Sequence, residues 1–412
     1  MKTLVCLISD QHIPNLLTVK AVRPDNLVLL VTEGMKKNVD WFLKALAAGG
    51  LDYTGKKKIV DIHKENSVDE TLNALRAEYV QRPGDEWIIN VTGGTKPMSI
   101  GAYTFVQENR LRALYIDKSD QHKAIDLSGG ESVTLDGQHV SASEFLAGYG
   151  YEIRNANDLE RQNQRASALQ DLGAMLTEHH TDPDIRQFLG LLQEFKERKK
   201  KVSRRKWEKE GLILTEEEPF WVNDGEIRRR ICITFCLQEN GRALTGHLDR
   251  QAVEFLTGRW LEYFVYGLLE PLMPTYLRCL QVGLTTGQPG PGESNEFDVS
   301  FMTERSLCMV ECKTGSQRHD SKGDEVLYKM EAIKAGLGAL RVKAFLATTA
   351  PNIIDPSTGN IREALINRSR LYGCTIVHGE TLKELASLYL AHDHSLNAKV
   401  MDVFWLKNAN AL

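Results

Sequence analysis

Over the first 150 residues, short apolar runs alternate with amphipathic stretches, and this alternation limits the possible folds more than any other feature of the chain. Runs at 3–8, 26–31, 57–61, 87–91 and 112–116 have strand length, and stretches such as 35–48 and 68–81 between them carry helical periodicity. That rhythm predicts an α/β domain, a doubly wound parallel sheet with helices on its faces. Ligands of such sheets bind at the carboxyl ends of the strands, so the residues just after each run are the ones to inspect.

At 412 residues the chain is too long for one ordinary core. Residues 1–150 form the first expected domain. Residues 151–250 read as a helical, polar connector or a small winged-helix module, with strand-like text at 220–222 and 229–237. Residues 251–412 read as a mixed sheet flanked by helices, with a helix at 255–269, strands at 277–285, 296–301, 307–312, 341–348 and 374–377, and a crossing helix at 324–337. A net charge of −4 gives no global attraction to nucleic acid, so any such binding must come from local patches. The seven cysteines form no C-x-x-C pair, which points away from a zinc site or a disulfide framework. No apolar run has the length of a membrane span or a signal sequence, and a cytoplasmic protein is expected.

The third block holds the clearest chemistry. Asn295-Glu296-Phe297-Asp298-Val299 precedes Met309-Val310-Glu311-Cys312-Lys313 by a short break. If residues 303–306 form a hairpin turn, position 298 lies opposite 311, and the two-residue period of a strand points Glu311 and Lys313 the same way. Asp298 then faces Glu311, with Lys313 one step along. Two carboxylates on one face suit Mg2+ or Mn2+, hard ions that prefer oxygen ligands, and the backbone carbonyl of Cys312 offers a further one. A metal there would polarise a phosphodiester and lower the pKa of a bound water; Lys313 would orient or deprotonate that water, or offset charge on the phosphate. Glu262, on the preceding helix, supplies another carboxylate, and Glu296 shares the strand parity of Asp298. The ordinary alternative for any E-x-K is a pair of surface charges. Here the motif ends an apolar run, with Asp298 at the matching distance.

A second motif follows the run at 87–91: Thr92-Gly93-Gly94-Thr95-Lys96-Pro97. A Gly-Gly turn leading into a helix that starts near a proline exposes backbone N–H groups and a helix N-terminus, which bind phosphate. Thr92, Thr95 and Lys96 add hydroxyl and ammonium donors. The spacing is neither a Walker A loop nor a dinucleotide fingerprint, and a purely structural turn is the competing reading. The first run ends in Ser9-Asp10-Gln11-His12-Ile13-Pro14-Asn15, which places Ser9, Gln11 and Asn15 at a strand end where they would line the same crevice. His12 reads as a solvated loop residue.

Three further features carry weaker signals. Between Glu194 and Lys209 nine Lys or Arg stand against three Glu, with Trp207 among them; the run is either a nucleic-acid guide with a stacking tryptophan or a solvated helix face. Trp260, Tyr263 and Tyr266 read as core, while Lys322, Lys329 and Lys334 are either phosphate contacts or solvated. The Gly/Pro-rich stretch 288–293 reads as a mobile loop or a passive connector.

Glu262, Asp298, Glu311 and Lys313 resemble the signature of the PD-(D/E)xK nuclease superfamily, although Phe297 stands where a proline is usual. The strand ends Ser9–Asn15 and Thr92–Lys96 resemble those of the CARF domain, the Rossmann-like sensor of cyclic oligoadenylates. The whole arrangement resembles the ancillary nucleases of type III CRISPR antiviral defence. That resemblance implies a homodimer with a cyclic oligoadenylate on its two-fold axis, cyclic tetra-adenylate foremost, contacted by Ser9, Gln11, Asn15 and Thr92–Lys96 from each subunit. It also implies metal-dependent cleavage of DNA, RNA or both once the ring is bound. Two other readings remain: a ligand-sensing transcription regulator with an inert third block, and a constitutive restriction or repair nuclease.

Overall fold

The computed structural model describes residues 1–117, 122–215, 220–303, 305–315, 324–338 and 341–406. They divide into two compact units: Met1–Arg154 with Thr286–Asn295 and Ala335–Arg341, and Asn155–Thr285 with Glu296–Lys334 and Val342–Leu412.

In the first unit the expected rhythm is present: β1 (Lys2–Leu7), α1 (His12–Val22), β2 (Asn26–Thr32), α2 (Lys36–Ala48), β3 (Lys57–Ile62), α3 (Val68–Tyr79), β4 (Glu86–Asn90), α4 (Lys96–Asn109) and β5 (Arg112–Tyr115). The sheet runs β3-β2-β1-β4-β5 in parallel, then adds β6 (Lys123–Asp126) and β7 (Val133–Thr134) antiparallel at one edge. Leu4–Leu7 and Leu27–Val31 are wholly buried, as strands covered on both faces must be. Trp87, Phe105, Leu75 and Met98 fill one such face. The strand order reverses between β1 and β4, so the loops that follow these two strands border the switch-point crevice. The unit also holds α5 (Ala142–Gly148) and β8 (Glu152–Ile153). Its stretch 288–293 is no free loop: the Arg154 guanidinium gathers the carbonyls of Gln288, Gly290 and Gly292 at 2.6–3.1 Å.

The second unit begins with α6 (Ala156–Glu178), α7 (Pro183–Val202), α8 (Arg204–Glu210), β9 (Leu212–Leu214), β10 (Phe220–Trp221), α9 (Gly225–Phe235), β11 (Gln238–Asn240) and β12 (Ala243–Leu248). Stretch 229–237, expected as a strand, is helix α9 as far as Phe235, with Cys236 as its left-handed C-cap. The Asp224 carboxylate caps it by accepting from Glu226 N and Ile227 N, and Ile227 and Ile231 bury one face four residues apart. The three short strands β9, β10 and β11 all pair with β12. Residues 155–250 are integral to this unit. Gly173 of α6 lets the helix approach Trp260 so closely that a Cβ there would lie 2.6 Å from the Trp260 carbonyl. Asn155 and Asn163 bond the backbone of the strand Arg278–Gly287.

The rest of the unit is α10 (Arg250–Glu254), a π-type turn at Phe255–Arg259, α11 (Trp260–Leu269), β13 (Arg278–Gly287), β14 (Ser294–Thr303), β15 (Ser306–Lys313), α12 (Asp324–Gly336), β16 (Val342–Thr348), α13 (Glu363–Leu371), β17 (Cys374–His378), α14 (Gly379–Leu390) and α15 (Leu396–Val403). The sheet order is β17-β16-β15-β14-β13, mixed as expected, with β15-β16-β17 parallel and β14-β15 antiparallel. Trp260, Tyr263 and Tyr266 are core residues. Trp207 is too, at 3 % exposure, so it is not available to stack on a base. Its apolar bulk anchors α8 while the lysines around it stay in water. Among the described residues no helix is long and apolar enough to cross a membrane.

Candidate active site

The β14–β15 hairpin pairs Thr303 with Ser306 and Val299 with Val310, and the next step places Asp298 opposite Glu311. The expected register is therefore the one formed. Asp298 Oδ2 accepts the N–H of Cys312 at 2.7 Å, and the Cys312 thiol is turned into the core. Lys313 Nζ lies 2.7 Å from Glu311 Oε1 and 3.8 Å from Asp298 Oδ2. Glu262 enters from α11, half-buried as a residue but with its Oε2 buried and accepting no hydrogen bond among the described residues. The π-type turn before α11 sets Arg259 beside these acids: it pairs with Glu296 at 3.3 Å, so Glu296 lies on the exposed margin of the site. α12 adds Lys329, whose Nζ stands 3.1 Å from Glu311 Oε1 and 3.4 Å from Oε2. Lys334 of the same helix is buried, and its ammonium bonds the carbonyls of Tyr372 and Gly373, which closes the end of α13. Lys322 lies outside the described residues.

Burial sets the electrostatics of this cluster. The Asp298 carboxyl is pushed up to about 6 by burial and then by the charge of Glu311, against the pull of Lys313 and the Cys312 N–H. Glu262 is raised well above the carboxylate range by burial, with Asp298 adding to it. Burial works against the charge of Lys313, but Asp298 and Glu311 outweigh it and its pKa is raised, so the ammonium stays protonated. Two desolvated carboxyls, one with a buried oxygen lacking any donor, form an environment that a divalent cation would satisfy. Among the described residues no three His, Cys, Asp or Glu side chains are already gathered as a metal cluster; the lysines stand among the acids instead.

In the first unit the two strand-end loops meet. A Cβ on Gly93 would lie 2.3 Å from the Leu7 carbonyl and 3.4 Å from Ser9 Oγ, so only glycine allows this approach, and Gly94 follows at φ 73°. Neither Gly93 N–H nor Gly94 N–H has a backbone partner among the described residues. Thr95 caps α4, accepting from Met98 N at 3.4 Å and donating to the Glu65 carbonyl at 2.6 Å. Thr92 donates to Asn90 Oδ1 at 2.6 Å and accepts from Ile116 N at 2.9 Å, so its hydroxyl shapes the loop. Ser9 Oγ accepts from Gln11 N at 3.3 Å. Lys96 is exposed, and neither it nor Gln11 makes a side-chain hydrogen bond among the described residues. Asn15, expected as a ligand contact, is buried instead, donating to the Leu7 carbonyl at 2.9 Å and accepting from Asn90 at 2.8 Å. His12, expected in solvent, is also buried, stacked on Phe42 and edge-on to Tyr149. Sequence reasoning passed over Asn90, which braces Asn15, Thr18 and Thr92 together. Its signal was a lone amide closing an apolar strand.

Residues 3–142 match the family model of the Card1 CARF domain, and residues 249–372 match that of the Card1-like endonuclease domain. Among solved structures, Can2 from Sulfobacillus thermosulfidooxidans, in complex with cyclic tetra-adenylate, is similar at 22 % identity and a TM-score of 0.70, over 95 % of this chain and 99 % of its own. The protein VC1899 from Vibrio cholerae is similar at 17 % identity and a TM-score of 0.74, over 99 % of each chain. No curated protein sequence matches.

Proposed function

From a chain that joins a Card1-type CARF domain to a Card1-like endonuclease domain, we propose a conditional nuclease of type III CRISPR defence: a divalent-metal-dependent enzyme that hydrolyses phosphodiesters of DNA, RNA or both when a cyclic oligoadenylate binds. Cyclic tetra-adenylate is the proposed activator, in keeping with the full-length likeness to Can2, solved with that ring. The proposed binding unit is a homodimer, because a symmetric ring suits the same loop presented twice across a two-fold axis.

The observation that carries this reading is the cross-strand set Asp298, Glu311 and Lys313, with Glu262 adding a buried carboxylate oxygen from α11. Mn2+ or Mg2+, when bound, would polarise the phosphodiester and acidify a water. Glu262, Asp298 and Glu311 are the side chains that would hold it, with the Cys312 carbonyl as a further oxygen. Lys313, kept protonated by its two acidic neighbours, holds positive charge where the phosphate gains negative charge. At the sensor, Lys96, Gln11, Ser9 and the Gly93–Gly94 amides are the groups left to meet ring phosphates and bases. Thr92, Thr95 and Asn15 fix the shape of that loop. The N-terminus of α4 adds its dipole.

The test is cleavage of plasmid DNA and single-stranded RNA in Mn2+ and cyclic tetra-adenylate by the wild type and by Glu311→Ala. The wild type cuts at least one substrate; the variant loses cutting and binds the ring unchanged. No cutting by the wild type in any combination would leave the transcription-regulator reading in its place.

A further inference from the structure

Glu311 is contacted by two ammonium groups. Lys313, its neighbour on β15, occupies Oε1 at 2.7 Å; Lys329 reaches from α12 to both oxygens, at 3.1 and 3.4 Å. A carboxylate 6 % exposed needs one cationic partner, and Lys313 already supplies it. Lys329 stands at the outer edge of the cluster, its side chain 46 % exposed, on a helix separate from the hairpin. It is therefore the partner more easily displaced, since its side chain is the more exposed of the two, 46 % against 29 % for Lys313.

We propose that Lys329 is a competing counter-ion of Glu311: it occupies the oxygens a divalent cation must take, and so sets the metal concentration at which the site loads. This rests on the metal-dependent reading above and adds a residue to it. A divalent cation and two ammonium groups cannot share one carboxylate; electrostatics retains the higher charge and expels the ammonium with the shorter path to water. Once displaced, Lys329 remains tethered by α12 beside the carboxylate cluster. Lys329 is a positioning residue under this assignment, acting through Glu311 on the metal and leaving the bond-breaking step to others.

The experiment is calorimetric titration of full-length protein with MnCl2, without ring or nucleic acid, for the wild type, Lys329→Met, Lys329→Gln and Lys329→Arg, each also in a Glu311→Gln background. The expected result is Mn2+ binding tighter by roughly fivefold in the Met and Gln variants, the factor for losing one half-exposed ion pair. Lys329→Arg stays near the wild type, and all differences vanish when Glu311 is Gln. Equal or weaker Mn2+ binding in both neutral variants overturns the proposal while the metal reading stands. Absence of Mn2+ binding by every variant, wild type included, overturns the metal reading and this proposal with it.

Discussion

Asp298 sits between opposing influences, with burial and Glu311 favouring its proton and Lys313 and the Cys312 N–H opposing it. Its folded-state pKa of about 6 exceeds the ordinary value of 3.8, so between those values the folded chain holds more protons than the unfolded one. Stability from this group is therefore present below about pH 4 and lost as pH rises towards 6, by about 3 kcal/mol. In EDTA, urea unfolding is expected to show the wild type losing stability relative to Asp298→Asn between pH 4 and 6.5; parallel profiles would contradict the assignment. At the sensor, Lys96→Ala is expected to weaken ring binding while leaving maximal cleavage at saturating ring, read by titrating ring against rate. Residue positions were partly legible beforehand. Asp298, Glu311 and Lys313 followed from strand parity, because a two-residue period and a short turn leave one register. Asn15 and His12 were misplaced because polarity was read as exposure, whereas buried amides and imidazoles satisfy backbone carbonyls or pack against rings. Lys329 was noted only as a possible phosphate contact, since nothing in the local text ties a helix to a carboxylate eighteen residues earlier.

Elements were legible where one force dominated. Strands β1 and β2 of the first unit are nearly continuous apolar runs, which only a sheet covered on both faces buries completely. Helix α9 was misread because Ile231-Cys232-Ile233-Thr234-Phe235 has β-branched, alternating text; the Asp224 cap and the Ile227–Ile231 spacing decide for helix. Trp207 shows the same limit: a tryptophan in a basic run looks like a stacking platform until its burial is known. Trp207→Ala is expected to cost about 3–5 kcal/mol in urea unfolding, as for other large core truncations; unchanged stability would return the residue to the surface. Gly93→Ala places a Cβ against the Leu7 carbonyl, so the loop must shift. Ring binding is expected to fall at least tenfold by calorimetry, while Mn2+ binding stays as in the wild type.

At the scale of the molecule, two compact units hold two separate polar clusters: a switch-point crevice where the Gly93 and Gly94 amides have no backbone partner among the described residues, and a carboxylate cluster with lysines among its acids. The stretch 155–250 was hard to place from sequence because its long helix α6 finds its apolar partners far along the chain, in α11 and α14. Ring binding can control cutting only if the ring prefers the arrangement in which the cluster is competent. Conditional activity is measured directly as the initial rate of cleavage in saturating Mn2+ as cyclic tetra-adenylate is titrated from zero. The expected result is no detectable turnover without the ring and a saturable rise with it; a full rate in its absence would contradict the account and identify a constitutive nuclease.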